Sequence, residues 1–257
     1  MKKITDVQGQ VDLRDLDIKK VGITGYAYRG MLLLGKEIVP AQGTANCFAY
    51  LDKSKKGTHM SRMSRNLNQL IDKTISLDNF EPVLQKIYSD LETPQIYVEI
   101  TANSIRTKES PVSKNVGFEE FKINLDLKID NGDFYGTCTL AFTGTSLCPA
   151  SKTNSKHGAH NQRSVVKVKF PFEEINKLGD YLHTAEEQLS AIVYPVIKLD
   201  DEAYITEKAY ENAKFVEDIV RDVVRGLQKN DLKFTLVSCE NLESIHTHNA
   251  YAEIVIK

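Results

Sequence analysis

Phe121-Lys122-Ile123-Asn124-Leu125-Asp126-Leu127-Lys128-Ile129-Asp130-Asn131-Gly132-Asp133-Phe134 lies at the middle of the chain and decides how the rest is read. Apolar residues at 121, 123, 125, 127 and 129 alternate with polar ones, the period of a strand with one buried face. Asn131-Gly132 is a favoured two-residue hairpin turn, since both residues tolerate positive φ. A second strand-like run, Phe134 to Phe142, follows. The centre of the chain is therefore expected to be an antiparallel hairpin.

Outward from this hairpin the pattern recurs. Val166, Val168 and Phe170 alternate with Lys167 and Lys169, and Leu232, Phe234 and Leu236 make another such face. Helical spacing is visible in Leu67, Leu70 and Ile71, in Val83, Leu84, Ile87 and Leu91, and in Leu182, Ala185, Leu189, Ile192 and Val193. A longer stripe runs through Ala209, Ala213, Val216, Ile219, Val220, Val223 and Leu227, predicting one helix over 208–227. The first half reads strand (21–30), strand (43–51), helix, helix, strand (95–103), strand (121–130). The second reads strand (133–144), strand (163–170), helix, helix, strand (232–240), strand (249–257). The expectation is an α+β protein with β-β-α-α-β-β twice, divided into modules 1–130 and 131–257. Each would be an antiparallel sheet with helices on one face. Segments 104–118 and 145–162 read as polar and irregular, and a long loop in a compact domain is often functional.

Composition narrows the class. With 257 residues, 41% hydrophobic and 26% charged, the chain is of ordinary globular type. A net charge of -2 argues against a dedicated nucleic-acid binder. The opening Met1-Lys2-Lys3-Ile4-Thr5-Asp6 lacks the apolar region of a signal peptide, and no apolar run has the length of a membrane span, so a cytoplasmic protein without membrane contact is expected. Cys47, Cys138, Cys148 and Cys239 form no Cys-x-x-Cys pair, which speaks against a disulfide framework or a zinc ribbon.

Three clusters carry candidate chemistry. Segment 145–164 gathers Cys148, Lys152, His157, His160 and Arg163 between two strands. A thiolate and an imidazole suit a borderline-soft cation, although an exposed loop with an incidental Cys has the same composition. Glu240, Glu243, His246 and His248 lie close together near the C-terminus. They suit general acid–base work, although a polar hairpin loop reads the same way. Lys55-Lys56-Gly57-Thr58-His59-Met60-Ser61-Arg62-Met63-Ser64-Arg65 precedes a helix and offers phosphate contacts, or simply a basic surface loop. Glu202 and Glu217 read by default as solvated acids. Glu217, at the edge of an apolar stripe, is also placed to grip the N–H edge of a guanine. There is no Walker loop and no Gly-x-Gly-x-x-Gly.

Taken together, Lys56-Gly57-Thr58-His59-Met60-Ser61-Arg62, Thr145-Ser146-Leu147-Cys148-Pro149, Gly158-Ala159-His160-Asn161-Gln162-Arg163-Ser164 and Glu243-Ser244-Ile245-His246-Thr247-His248-Asn249-Ala250 resemble the signatures of the type IB GTP cyclohydrolases, the FolE2 family. Asp6-Val7-Gln8 and Thr206-Glu207-Lys208-Ala209-Tyr210-Glu211-Asn212 are also similar, so the resemblance spans nearly the whole chain. It implies the tunnelling fold, a homotetramer, and conversion of GTP and water to 7,8-dihydroneopterin triphosphate and formate, at the head of folate or pterin synthesis.

It further implies a divalent metal, manganese, zinc or iron, held by Cys148, His160 and Glu202. Glu217 would anchor the purine, and Cys148, Glu243, His246 and His248 would form the catalytic set. His59, Arg62, Arg65, Lys152 and Arg163 are candidates for binding the substrate, chosen by charge and location. Many relatives carry Cys-Pro-Cys-Ser-Lys where this chain has Cys148-Pro149-Ala150-Ser151-Lys152, so any function of the second thiol is missing here. The rival readings are an archaeal-type cyclohydrolase releasing a cyclic phosphate, a metal-free tunnelling-fold nitrile reductase, and a non-catalytic pterin-binding protein.

Overall fold

A computed structural model describes residues 6–256. The expectations for residues 1–5 and for the last residue of the final strand lie outside that range. The central hairpin forms as read. Strand β4 (Val116–Asp130) pairs with β5 (Asp133–Leu147), with Asp130 opposite Asp133. Asn131 and Gly132 between them take positive φ of 50° and 96°, the conformation that matches a hairpin turn to the twist of its strands. Phe121, Ile123, Leu125, Leu127 and Ile129 are all buried.

Around this hairpin stands one eight-stranded antiparallel sheet whose spatial order is the chain order. On one side are β1 (Ile18–Leu34), β2 (Glu37–Leu51) and β3 (Gln95–Glu109). On the other are β6 (Asn161–Pro171), β7 (Leu236–Leu242) and β8 (Ala250–Val255). Among the described residues six α-helices accompany it: α1 (Met60–Leu67), α2 (Leu77–Leu91), α3 (Pro149–Asn154), α4 (Leu178–Glu186), α5 (Leu199–Glu211) and α6 (Val216–Lys229). The class is α+β. One face of the sheet, with Val98, Ile100, Ile123, Leu125, Leu140, Val166 and Val168, shares a continuous core with Phe80, Leu84 and Ile87 of α2, Tyr181 and Leu182 of α4, and Ile219 and Val223 of α6. Phe170 stacks on Tyr181 with ring centroids 4.0 Å apart.

The structure corrects five readings, the first being segment 145–162, which is not irregular throughout but holds the end of β5, helix α3 and the start of β6. Segment 104–118 is not an irregular loop, since β3 runs on to Glu109 and β4 begins at Val116. Here the strand alternation is carried by charge. Arg106 and Lys108 of β3 converge on Glu119 of β4 and Glu186 of α4, with all four side chains between 5% and 14% exposed. Lys108 Nζ lies 2.9 Å from Glu119 Oε1 and 2.7 Å from Glu186 Oε1. Buried charges persist only when paired in this way.

The helix expected over 208–227 is two helices. Between α5 and α6, Asn212 donates its amide to the Leu189 carbonyl at 2.8 Å, and the Lys214 N–H donates to the Leu147 carbonyl at 3.0 Å. The Phe215 N–H then caps on Asp218 Oδ2 at 3.0 Å and starts the next helix. The stripe from Leu182 to Val193 is helical only to Glu186, because the N–H groups of Ser190 and Ala191 turn to the Thr145 carbonyl. Finally, β7 starts at Leu236. Leu232 is buried in the turn after α6, where its N–H donates to the Leu227 carbonyl.

Candidate active site

Strand β5 ends at Leu147, and Leu147 is gripped on both sides of its peptide. Its N–H donates to the buried Ser190 Oγ at 3.2 Å, and its carbonyl accepts the Lys214 N–H at 3.0 Å. The next residue, Cys148, caps the short helix α3. Its carbonyl accepts from the Lys152 N–H at 3.0 Å, and its sulfur accepts from the Ser151 N–H at 3.4 Å. Pro149 fits the first helical position because no N–H is needed there. The chain returns through Gly158, at φ 111°, a conformation that costs glycine little. It then reaches His160, whose carbonyl accepts the Cys148 N–H at 3.1 Å. The His160 N–H donates to Ser151 Oγ at 3.3 Å.

Beside Cys148 and His160 opens a cavity of about 280 Å3. Glu217, in the first turn of α6, lines it, as do Glu243, His246 and His248 from the turn between β7 and β8. The rings of His246 and His248 stack with centroids 5.1 Å apart and planes 17° from parallel. An Asn249 amide bonded to Glu240 Oε1 at 2.9 Å ties the base of that turn. Three chain segments thus bring a thiol, three imidazoles and two carboxylates to one opening, a set of groups able to move protons.

The imidazole of His160 is held by one nitrogen. Its Nδ1 lies 2.9 Å from Gln162 Oε1, and Gln162 donates its amide to Ser146 Oγ at 2.7 Å. Nε2 has no protein partner among the described residues. The Cys148 sulfur and this nitrogen match two donors of a zinc-like or iron-like site. Among the described residues no three His, Cys, Asp or Glu side chains converge closely enough to hold a metal ion.

The other expected residues lie elsewhere. Glu202 is exposed in the first turn of α5 and does not line the cavity. Its neighbour Asp201 is buried and pins α5 to the β3–β4 connection. Lys152 turns away to the Tyr210 carbonyl and covers the Tyr210 ring at 4.5 Å. Arg163 lines an adjoining cavity with Ile192, Tyr194 and Leu242. His59 and Arg62 line a separate cavity with Lys55, Gln8 and Thr93, and Arg65 is exposed beside Asp90 at 3.4 Å. His157 is exposed and outside the Cys148 cavity.

Among the lining residues that were not expected are Gln162, Lys214, Phe215 and Asn241. Gln162 had a visible signal, since it stands two places after His160 at the start of a strand and so shares its side of the chain. The other three are brought in by the break between α5 and α6 and by the bond from Ser164 Oγ to Asn241 Oδ1 at 2.7 Å, neither of which has a local sequence signal.

Comparison with known proteins places the chain among similar sequences. The family described as type I GTP cyclohydrolase folE2 matches residues 4–252. The GTP cyclohydrolase FolE2 of Nitrosomonas eutropha is 40% identical over 256 residues, covering 98% of this chain and 95% of that protein. Those of Thiobacillus denitrificans and Methylobacillus flagellatus are 38% and 39% identical, covering 97% and 98% of this chain and 93% and 95% of their own lengths.

Proposed function

Because the chain belongs to the FolE2 family of type I GTP cyclohydrolases, we propose that the cavity beside Cys148 is where it opens the guanine base of GTP. The activity is that of GTP cyclohydrolase I: GTP and water give 7,8-dihydroneopterin triphosphate and formate. The placement rests on one observation, the convergence of Cys148, His160, Glu217, Glu243, His246 and His248 on a single cavity.

Each residue has a role that its position supports. Glu217 presents a carboxylate to the N1–H and 2-amino group of guanine, a two-donor edge that suits a two-oxygen acceptor. Phe215, 45% exposed at the rim, offers an apolar face to the purine plane. His246 or His248 delivers a proton to N7 as the C8–N bond breaks, and Glu243 takes up the proton released from water. The same loop shuttles protons during ribose opening and ring closure. Cys148 and His160 would be two donors for a divalent ion, manganese, zinc or iron; Glu202, expected as the third, stands outside this cavity. When bound, that ion would supply Lewis-acid activation of the attacking water.

The fold is read further as the tunnelling fold, with modules 1–130 and 131–257 meeting at the Asn131–Gly132 turn. A homotetramer is part of the same reading. It is supported by the separation, within one chain, of the His59–Arg62 cavity from the Cys148 cavity. In an assembly, the basic cluster of one copy would meet the triphosphate at the site of another. Among the described residues no helix is long and apolar enough to cross a membrane, which is consistent with a cytoplasmic enzyme.

The test is turnover of GTP by metal-depleted protein with manganese, zinc or iron restored, and products identified by mass and fluorescence. Formate and 7,8-dihydroneopterin triphosphate, lost in Cys148→Ala, are the expected result. A cyclic phosphate product, or turnover that survives Cys148→Ala, would overturn the reading.

A further inference from the structure

We propose that Gln162 and Ser146 are positioning residues that hold His160 in one tautomer, with the proton on Nδ1 and the Nε2 lone pair presented to the cavity. The geometry begins with the ladder. Ser146 of β5 and Gln162 of β6 are directly opposed, and both side chains are buried, Ser146 at 0% exposure and Gln162 at 7%. Residues two apart on an extended chain share a face, so Gln162 sits under the ring of His160. The Gln162 amide is used at both ends. Its nitrogen donates to Ser146 Oγ at 2.7 Å, and its oxygen lies 2.9 Å from His160 Nδ1.

A carbonyl oxygen can only accept. With Oε1 facing the ring, Nδ1 must be the protonated nitrogen and Nε2 the acceptor. Turning the amide over would reverse this. The Gln162 nitrogen would donate to Nδ1, Ser146 would donate to Oε1, and the ring proton would move to Nε2, blocking that nitrogen as a ligand. The amide orientation is therefore a two-position selector for whether His160 can donate electrons into the cavity. His160 is further restrained by its backbone, through the bonds from its N–H to Ser151 Oγ and from the Cys148 N–H to its carbonyl. Backbone and ring are thus both held, and Nε2 is left without a protein partner among the described residues. Partners of this kind on the far nitrogen of a ligating histidine set ring orientation and ligand strength.

The consequence for metal binding rests on the reading of Cys148 and His160 as metal donors, but the tautomer itself does not. It is read on metal-free protein at alkaline pH, where imidazoles are neutral, from nitrogen–carbon-proton couplings in histidine labelled with 15N. The chain has 6 histidines, and His160→Gln identifies the signal. Wild type is expected as the Nδ1–H form. Gln162→Met, of similar length and without hydrogen bonds, should lose that preference. Gln162→Glu keeps an acceptor against Nδ1–H and should restore it. Ser146→Ala, which removes only a hydroxyl, should shift the population in the same direction as Gln162→Met, and it serves if the methionine variant fails to fold.

Zinc alone, titrated against a chromophoric chelator, should bind roughly 10–100-fold more weakly to Gln162→Met and near wild type to Gln162→Glu. An Nε2–H form in the wild-type protein would overturn the proposal, as would an unchanged tautomer in both Gln162→Met and Ser146→Ala. If the tautomer moves as expected while wild type binds no zinc, the positioning role stands and the metal reading falls.

Discussion

The backbone N–H of Cys148 donates to the carbonyl of His160 at 3.1 Å. This bond extends the β5–β6 ladder one step beyond the Leu147–Asn161 pair, so the two candidate ligands emerge together where the sheet ends. Because the link is made by the main chain, it does not depend on either side chain. Cys148→Ala and His160→Ala are each expected to lower GTP turnover by at least about 100-fold while leaving the thermal unfolding midpoint close to wild type. A parallel loss of folding would show that the side chains, not the ladder, hold the loop.

Ser190 should matter beyond its size. Its hydroxyl is the acceptor for the buried Leu147 N–H, one residue before the cysteine. Ser190→Ala strands that donor, at a cost of about 1–3 kcal/mol, measurable by urea denaturation. Turnover should fall further than stability alone explains, because Cys148 loses its register. Equal stability of the two proteins would mean that the Leu147 N–H finds another acceptor.

Glu217 is expected to act in binding rather than in bond breaking. Glu217→Gln keeps the shape of the side chain but removes its charge and turns one of its two acceptor oxygens into an N–H donor, so only one of the two hydrogen bonds to guanine can form. The KM for GTP should rise on the order of 10–100-fold with a much smaller change in kcat, since hydrogen bonds to charged groups are worth about 1.5–3 kcal/mol. An unchanged KM would remove Glu217 from the purine pocket.

Asp201 makes the joint between α5 and the β3–β4 connection sensitive to acid. Burial alone would raise its pKa, but the Ser113 hydroxyl and N–H, the Lys198 N–H and the Val112 N–H outweigh that effect and hold the carboxyl well below its ordinary value of 3.8. A group whose pKa is depressed by folding stabilises the fold above its unfolded pKa, and that contribution is lost as pH falls through the folded value. Asp201→Asn should therefore unfold at lower temperature than wild type near neutrality, and the gap should narrow as pH falls below 3.8. A gap that stays constant into acid would show that the contribution is steric.

Thiol chemistry offers a direct check of burial. The chain has four free cysteines, and only Cys148 is not fully buried. Burial pushes the Cys47 and Cys239 thiols up to about 12 and raises Cys138 as well, and a thiol rather than a thiolate is a poor nucleophile. An aromatic disulfide reagent should label one thiol rapidly in the native protein and all four after unfolding. Cys148→Ala should abolish the rapid phase. Rapid labelling of a second thiol would place one of the three core cysteines at the surface.

The alternation from Phe121 to Ile129 and the Asn131-Gly132 turn specify the central hairpin locally, and the α+β class and most of the element order follow from the same periodicity. The motif around Cys148 and His160 and the loop holding His246 and His248 were also legible, because residue type and spacing within one segment carry them. What sequence could not decide depends on partners far along the chain. The charged run at 104–109 becomes strand because Glu119 and Glu186 neutralise it. The helix stripe breaks at 212–215 because the Leu147 and Leu189 carbonyls accept bonds from Asn212 and Lys214. Glu202 stands outside the cavity, while Gln162, Phe215 and Asn241 stand inside it. Short-range periodicity reports which face of an element is apolar. Only the folded chain brings distant donors and acceptors within hydrogen-bonding range, and those long-range bonds decide where elements end and which side chains share the site.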